Sequence, residues 1–304
     1  MEPRNPSSNI DRENNLATLR TPPTDRKSER LRKQAEIASI AEEALSELQV
    51  AVSNGQPEPL KRLLTTMAMF HSYSLRNVIL ILSQNPDATR VAGFRTWKKL
   101  GRQVRKGEKG ICILAPMTGQ KADNEGTPEA GDQSQKQRLI GFRIVYVFDV
   151  SQTEGDPLPT LSQIQGQPGK HLVKLRDLIR FQGIQLEYQS LNQAKGISKG
   201  GKIVMDSKLG KAEEFAVLAH ELAHEMLHHG DDKRELSQTQ CETEAEAVAY
   251  VVCSAFDIDS KDRSNEYIQL YKGNTELLSD SLEAIRMTAT SIIGELREVD
   301  PEPS

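Results

Sequence analysis

His220, Glu221 and His224 form H-E-x-x-H inside the run LAHELAHEMLHHG, residues 218–230, which holds four of the chain's six histidines. Residues four apart on a helix lie on nearly one face, one turn apart. Two imidazoles at that spacing can reach one metal ion. A glutamate next to the first of them sits to the side of the pair, where it can take a proton from a water. This is the spacing at which a zinc-dependent hydrolase holds its ion. His224, Glu225 and His228 make a second, overlapping copy. The helical wheel chooses between the two. With His220 at zero and about 100° per residue, Phe215, Ala216, Ala219, Leu222, Ala223, Met226 and Leu227 fill one apolar arc. His220 and His224 border that arc, while Glu225 and His228 turn toward water. A catalytic ion needs a rigid, partly dry setting, which favours the first copy. The second ends against Gly230, a helix stop, and His228 and His229 are expected to face solvent.

A catalytic zinc takes three protein ligands and leaves a position open. The third is sought in CETEAEAVAYVVC, residues 241–253. On a helix Glu242 and Glu246 share a face, and Glu244 lies about 200° away from Glu242. Glu242 is the expected ligand, with Glu246 behind a histidine or, in the reverse assignment, ligating in its place. The site expected from the sequence is therefore Zn2+ on His220, His224 and Glu242, with Glu221 as the base.

The chain has 304 residues, 27% charged, a net charge of −4 and a mean hydropathy of −0.54. No apolar run is long enough to span a membrane, so no membrane partner is expected. The first residues, MEPRNPSSNIDRENN, lack the apolar core of a signal peptide. Three scattered cysteines, Cys112, Cys241 and Cys253, fit a reducing compartment, and a cytoplasmic location is expected. The net charge hides an asymmetry. Residues 56–117 carry eleven Lys or Arg against three acids, and residues 206–260 carry four against thirteen. One half suits a polyanion and the other a cation. The basic half centres on Arg90, Arg95, Lys98, Lys99, Arg102, Arg105, Lys106 and Lys109, with Phe94 and Trp97 interleaved. Cations neutralise phosphates, and exposed aromatic rings stack on unpaired bases. Trp97, the single tryptophan, suits either a stacking platform or the core.

The elements that must position these groups follow from periodicity. Helices are expected near 28–52, 58–70, 73–84, 94–101, 170–182, 238–256 and 275–297, besides the H-E-x-x-H helix. Strands are expected near 110–117, 139–150, 184–189 and 201–206. The fold class is α+β, in two domains: a helix-plus-small-sheet domain over 28–158 and a mainly helical one over 170–304. Residues 1–27 are expected to be disordered, 118–137 to be a flexible insertion and 159–169 a linker.

The helix with His220, Glu221 and His224, followed by one reading E-T-E-A-E-A-V-A, resembles zinc metallopeptidases of the ImmA/IrrE and gluzincin-like kind. Those families place the third ligand in E-x-x-x-D or E-x-x-x-N, and here the fourth residue is Glu246. Upstream, SYSLRNVILILSQNPDATRVAGFRTWKKLGRQVRKGEKGICILAP and IVYVFDVSQTEGDPLP are similar to the N-terminal single-stranded-DNA-binding domain of ArdC-type antirestriction proteins. The two resemblances imply a zincin-like peptidase joined to an ssDNA-binding domain, acting in mobile-element DNA protection or antirestriction on an unknown protein or peptide. If 201–206 is an edge strand, an extended peptide could pair with it. The alternative is a non-catalytic ssDNA-binding antirestriction protein whose zinc is structural. A nuclease is disfavoured by the acidic surroundings of the histidines.

Overall fold

The structure, a computed structural model, describes residues 23–119, 138–156, 168–192, 194–229, 234–258 and 275–297. Most of the expected insertion and linker lie outside them. The described residues are mixed helix and sheet. Three helices come first: α1 (Pro23–Ser53), α2 (Glu58–Met69) and α3 (Leu75–Gln84). α1 begins inside the segment expected to be disordered. Ser74 caps α3 by accepting from the Asn77 N–H, and Asn85-Pro86 ends it.

Five strands and a short helix follow: β1 (Val91–Gly93), α4 (Phe94–Lys99), β2 (Arg102–Val104), β3 (Ile111–Gly119), β4 (Arg138–Asp149) and β5 (Thr153–Gly155). They make an antiparallel sheet in the order β1-β4-β3 and a β2-β5 pair. The free edge of β3 is covered by side-chain amides of α3. Asn77 exchanges two 2.9 Å hydrogen bonds with the Leu114 backbone, and Gln84 does the same at Cys112. An edge met in this way is closed to another strand.

Asp149 ties β4 to its neighbours. It is buried, and its carboxylate accepts from the backbone N–H of Thr89, Arg90 and Ser151 at 2.8–2.9 Å. Burial pushes the carboxyl up, but those hydrogen bonds prevail and hold it below its ordinary value. Its stabilisation is thus fully present above the ordinary carboxyl range and is lost as pH falls through the lower folded value. Asp149→Ala should cost roughly 1–3 kcal/mol, because three donors lose their acceptor. It should also flatten the acid limb of a pH–stability curve followed by thermal melting. An unchanged limb would contradict the assignment.

The second half runs α5 (Gly169–Phe181), β6 (Gln185–Gln189), β7 (Gly196–Ser198), β8 (Lys202–Asp206), α6 (Lys211–His228), α7 (Gln238–Ala255) and α8 (Thr275–Arg297). β8 is the central strand, parallel to β6 and antiparallel to β7. The condition considered for 201–206, that it forms an edge, is therefore not met: the edge beside the histidines is β7. β7 and β8 join through Gly200 and Gly201 with φ of +69° and +81°. These are left-handed values that a tight two-residue hairpin requires and glycine accepts.

α6 and α7 pack side by side, and buried residues of both halves share one apolar cluster. The Thr65 hydroxyl of α2 meets Tyr250 of α7 at 3.0 Å, and α8 donates to the His71 carbonyl through Thr290 at 2.6 Å. No disulfide joins the three cysteines. No helix among the described residues is long and apolar enough to cross a membrane.

Candidate metal centre

α6 starts at Gly210 with Glu213 and Glu214 in its first turn, where carboxylates favour the helix dipole. Glu214 is anchored by Arg176 at 2.6–2.9 Å and by the Tyr188 hydroxyl at 2.5 Å. Burial and that carboxylate push the Tyr188 phenol up to about 12. One turn after another, Phe215, Leu218, Ala219 and Leu222 are fully buried. This fixes the rotation of the helix and brings His220 and His224 to the border of its apolar face. α7 is set by a capping box in which Ser237 and Gln240 satisfy each other's backbone N–H.

These two helices bring His220, His224 and Glu242 together, with ligand atoms within 4.8 Å of one another. The Nε2 atoms of the two histidines are 3.1 Å apart, and each lies 3.4 Å from Glu242 Oε2. Donors about 2.0–2.1 Å from a tetrahedral ion stand about 3.3–3.4 Å apart. The triangle therefore fits a small divalent cation with its outward side open. On the other side of the His220 ring, Nδ1 faces Glu246 Oε2 at 2.9 Å. Burial opposes charge on His220, yet Glu242 and Glu246 outweigh it and push the ring up to about 9. Burial and the neighbouring His220 push His224 down to about 4. Rings this close cannot both be protonated, whereas a single cation satisfies both. Two imidazoles and a carboxylate are a donor set for zinc and its neighbours in the first transition row.

Glu221 is buried at 7% exposure, and burial raises its carboxyl above the ordinary range. The Ser198 N–H of β7 holds it. β7 presses on it closely: a Cβ on Gly196 would stand 2.7 Å from both Glu221 Oε1 and Val217 Cγ1. Gly196→Ala must shift the strand or the carboxylate. Displacement of a reacting group by about 1 Å costs on the order of 10²-fold in rate. We expect that loss in any hydrolysis the chain performs, with its metal content intact. Loss of metal in this variant would show that Gly196 serves the ligands instead.

The second H-E-x-x-H copy is taken apart by the fold. Glu225, expected to face water, is 8% exposed. It accepts from the Ser198 hydroxyl at 2.6 Å and from the Gly200 and Gly201 N–H groups at 3.0 and 2.6 Å. Its job is to fasten the β7–β8 hairpin to α6. His228, also expected in solvent, has a side chain only 8% exposed and pairs with Glu244, which is fully buried. Glu244 does point away from Glu242, but into the protein. The wheel misplaced these groups because it sees one helix and not the hairpin, α7 and α8 that cover its far side. His229 is exposed.

β7 and the donors line a cleft of about 510 Å³. A larger cleft of about 820 Å³ lies between α1, α2 and α3, with walls that include Leu45, Leu48, Leu63 and Met69 and no histidine or cysteine. Of the two, the smaller holds His220, Glu221, His224 and Glu242.

The basic half has a different character. Arg90, Arg95, Lys98, Lys99, Arg105, Lys106 and Lys109 are exposed. Arg105 pairs with Glu108 at 2.8 Å. Arg102 is partly buried and bonds Thr153 and the carbonyls of Gly155 and Asp156, so it fastens β2 to β5. Trp97 is fully buried, its indole N–H donating to the Phe148 carbonyl at 2.9 Å. The stacking role expected of it is corrected: it is core. Among the described residues of this half, the exposed aromatic rings are Phe94, Phe142 and Tyr146, at 52%, 47% and 56% exposure. Alternation along β4 places Phe142, Tyr146 and Phe148 on one face. Gly110 lies against Tyr146 and Phe148, which carries that face up to the basic 105–109 turn. Period-two aromatics in IGFRIVYVFD were the signal available in the sequence.

The fold and this donor set define a mixed helix-and-sheet protein with a histidine–carboxylate cluster, spaced so that it could hold a metal ion, beside an edge strand. Residues 34–148 match the family model for the N-terminal domain of anti-restriction factor ArdC. The chain is 27% identical over 282 residues to an uncharacterized protein of Bacillus anthracis, an alignment covering 78% of this chain and 47% of the relative. The chain thus spans about half the length of the curated relative it matches. It is similar in fold to the Mn(II)-bound crystal structure of antirestriction ArdC protein from the R388 plasmid. That match has a TM-score of 0.50 and 18% identity, covering 86% of this chain and 99% of that one. The metal-free form of the same protein superposes with a TM-score of 0.45 and 20% identity over 74% of this chain and 85% of that one.

Proposed function

We propose that this chain is a divalent-metal peptidase carried to single-stranded DNA, acting in antirestriction or the protection of mobile-element DNA. The observation that carries the reading is the 3.1–3.4 Å donor triangle of His220, His224 and Glu242 with the buried Glu221 beside it. The ion, zinc by its donor set, would supply Lewis acidity for hydrolysis. Glu221, with its carboxyl raised by burial, takes a proton from the attacking water and returns it to the leaving amine. Ser198 and Gly196 hold that carboxylate in place. β7 is the outer strand of its described sheet along the cleft, with its Ser198 N–H taken by Glu221, and an extended peptide can add there through the remaining outward backbone groups. In this proposal residues 28–158 serve DNA and 170–304 form the zincin-like unit, although the two share one apolar cluster.

The DNA surface proposed is the outward face of β4 with the cations at its ends. Phe142 and Tyr146 provide stacking, and Arg90, Arg95, Lys98, Lys99, Lys106 and Lys109 provide phosphate contacts. Replacing Tyr146 by Ala should weaken binding of a fluorescent single-stranded oligonucleotide by roughly 5–100-fold, the range of one stacked base. Lys98→Ala with Lys99→Ala should instead reduce the salt dependence of binding. If Tyr146→Ala binds as wild type, the sheet face is not the platform. The peptidase reading itself is tested with the full chain, zinc and a quenched-fluorescent peptide mixture, with and without ssDNA. Cleavage abolished by chelation supports it. No cleavage under any of these conditions, with DNA protection intact, would leave a non-catalytic binding protein.

A further inference from the structure

Two buried side chains behind His224 have no part in the proposed reaction. His228 Nδ1 stands 3.1 Å from His224 Nδ1, and His228 Nε2 stands 3.1 Å from Glu244 Oε2. Glu244 is fully buried, and it also receives Arg234 at 2.5 Å and the Ser281 hydroxyl of α8 at 2.5 Å. We propose that His228 and Glu244 are positioning residues for the metal centre, a buried imidazole–carboxylate relay that fixes the tautomer and ring plane of His224. The inference rests on the metal-centre reading.

With His228 as a neutral imidazole, the hydrogen-bond inventory allows one arrangement. A carboxylate only accepts, so His228 must carry its proton on Nε2. Its Nδ1 is then an acceptor and requires a proton on His224 Nδ1. That leaves the lone pair of His224 on Nε2, the atom 3.1 Å from His220 Nε2 and 3.4 Å from Glu242. The chain of contacts therefore selects the tautomer that can ligate through the inward nitrogen. Partners behind a ligating histidine commonly act in this way, fixing the ring and raising its basicity.

The relay also accounts for the alternation in Glu242-x-Glu244-x-Glu246. Glu242 faces the ion, Glu246 stands directly behind His220 at 2.9 Å, and Glu244 stands behind His224 with His228 as the intermediary. Glu244 leaves α7 on another face, so it cannot reach His224 itself; an imidazole one turn further along α6 spans the gap. Arg234 from the connecting segment and Ser281 from α8 immobilise the carboxylate at its far end. Such a group is held for direction as well as for charge.

The test uses the purified full chain titrated with Zn2+ and Co2+ against a competing chelator. It compares wild type, His228→Leu, His228→Gln, Glu244→Leu and His224→Ala. His228→Leu should bind either ion about 10–100-fold more weakly and shift the visible ligand-field spectrum of bound Co2+. His228→Gln should stay close to wild type, because a carboxamide can accept from His224 and donate to Glu244. A merely structural pair would lower the melting temperature of the metal-free chain in both His228 variants and leave affinity and spectrum of the folded protein unchanged. If His228→Leu does not fold, Glu244→Leu, which removes the acceptor of the His228 Nε2 proton, carries the same comparison. Wild-type affinity and an unaltered Co2+ spectrum in these variants overturn the relay. Wild-type Co2+ binding by His224→Ala would instead overturn the metal centre on which it rests.

Discussion

Glu221→Gln is expected to lower peptide hydrolysis by about 10²–10⁴-fold, the range of a lost general base, while metal content and ssDNA binding stay at wild-type levels. The carboxamide keeps the shape of the side chain and can still accept the Ser198 N–H. It cannot take a proton from water. Glu221 lies buried between α6 and β7, with Gly196 pressed against it. Truncation to Ala would open space under the strand and mix two effects, so the isosteric change is the cleaner one. Cleavage by Glu221→Gln at the wild-type rate would remove Glu221 from the chemistry. It would turn attention to a hydrolysis run by the ion and its water alone.

The second large effect concerns the ion as a structural clamp. α6 contributes two donors and α7 the third, so an ion binds the native arrangement and not the unfolded chain. Saturating metal at about 1,000 times its dissociation constant should then stabilise wild type by about 4 kcal/mol. His220→Ala, His224→Ala and Glu242→Ala should each forfeit most of that gain and all metal-dependent cleavage. Thermal melts with and without Zn2+ measure it. Glu242 is the most exposed of the three donors, with its side chain at 55%, so its removal should disturb the metal-free fold least. A metal-induced shift of wild-type size in Glu242→Ala would move the third ligand to Glu246.

Much of this was visible in the residues. The wheel of α6 placed His220 and His224 at the edge of the apolar face because Phe215, Ala219, Leu222 and Met226 repeat at helical spacing. The wheel of α7 separated Glu242 and Glu246 from Glu244 by the same logic. Apart from the start of α1, helix extents were close, since long periodic segments with caps such as Ser74 and Ser237 carry their own boundaries. The three-residue strands β1, β2, β5 and β7 are too short for alternation to register. β7 mattered most. Its signal was the Gly200-Gly201 pair before the apolar IVM run, which marks a hairpin and would have made 202–206 central.

Burial on the far side of α6 was illegible for a different reason. Glu225 and His228 are polar residues that the helix alone sends to solvent, and only the hairpin amides and Glu244 make their burial tolerable. Trp97 shows the converse: a basic neighbourhood suggested a surface ring, but the Phe148 carbonyl satisfies its indole N–H inside the core.

The central claim is that His220, His224 and Glu242 hold a divalent ion. Elemental analysis of the purified full chain after metal loading and gel filtration tests it most directly. The account predicts bound Zn2+ in wild type and in Glu221→Gln, and its loss from His220→Ala, His224→Ala and Glu242→Ala with each variant folded by circular dichroism. Zn2+ retained at wild-type level in the three ligand variants would contradict it.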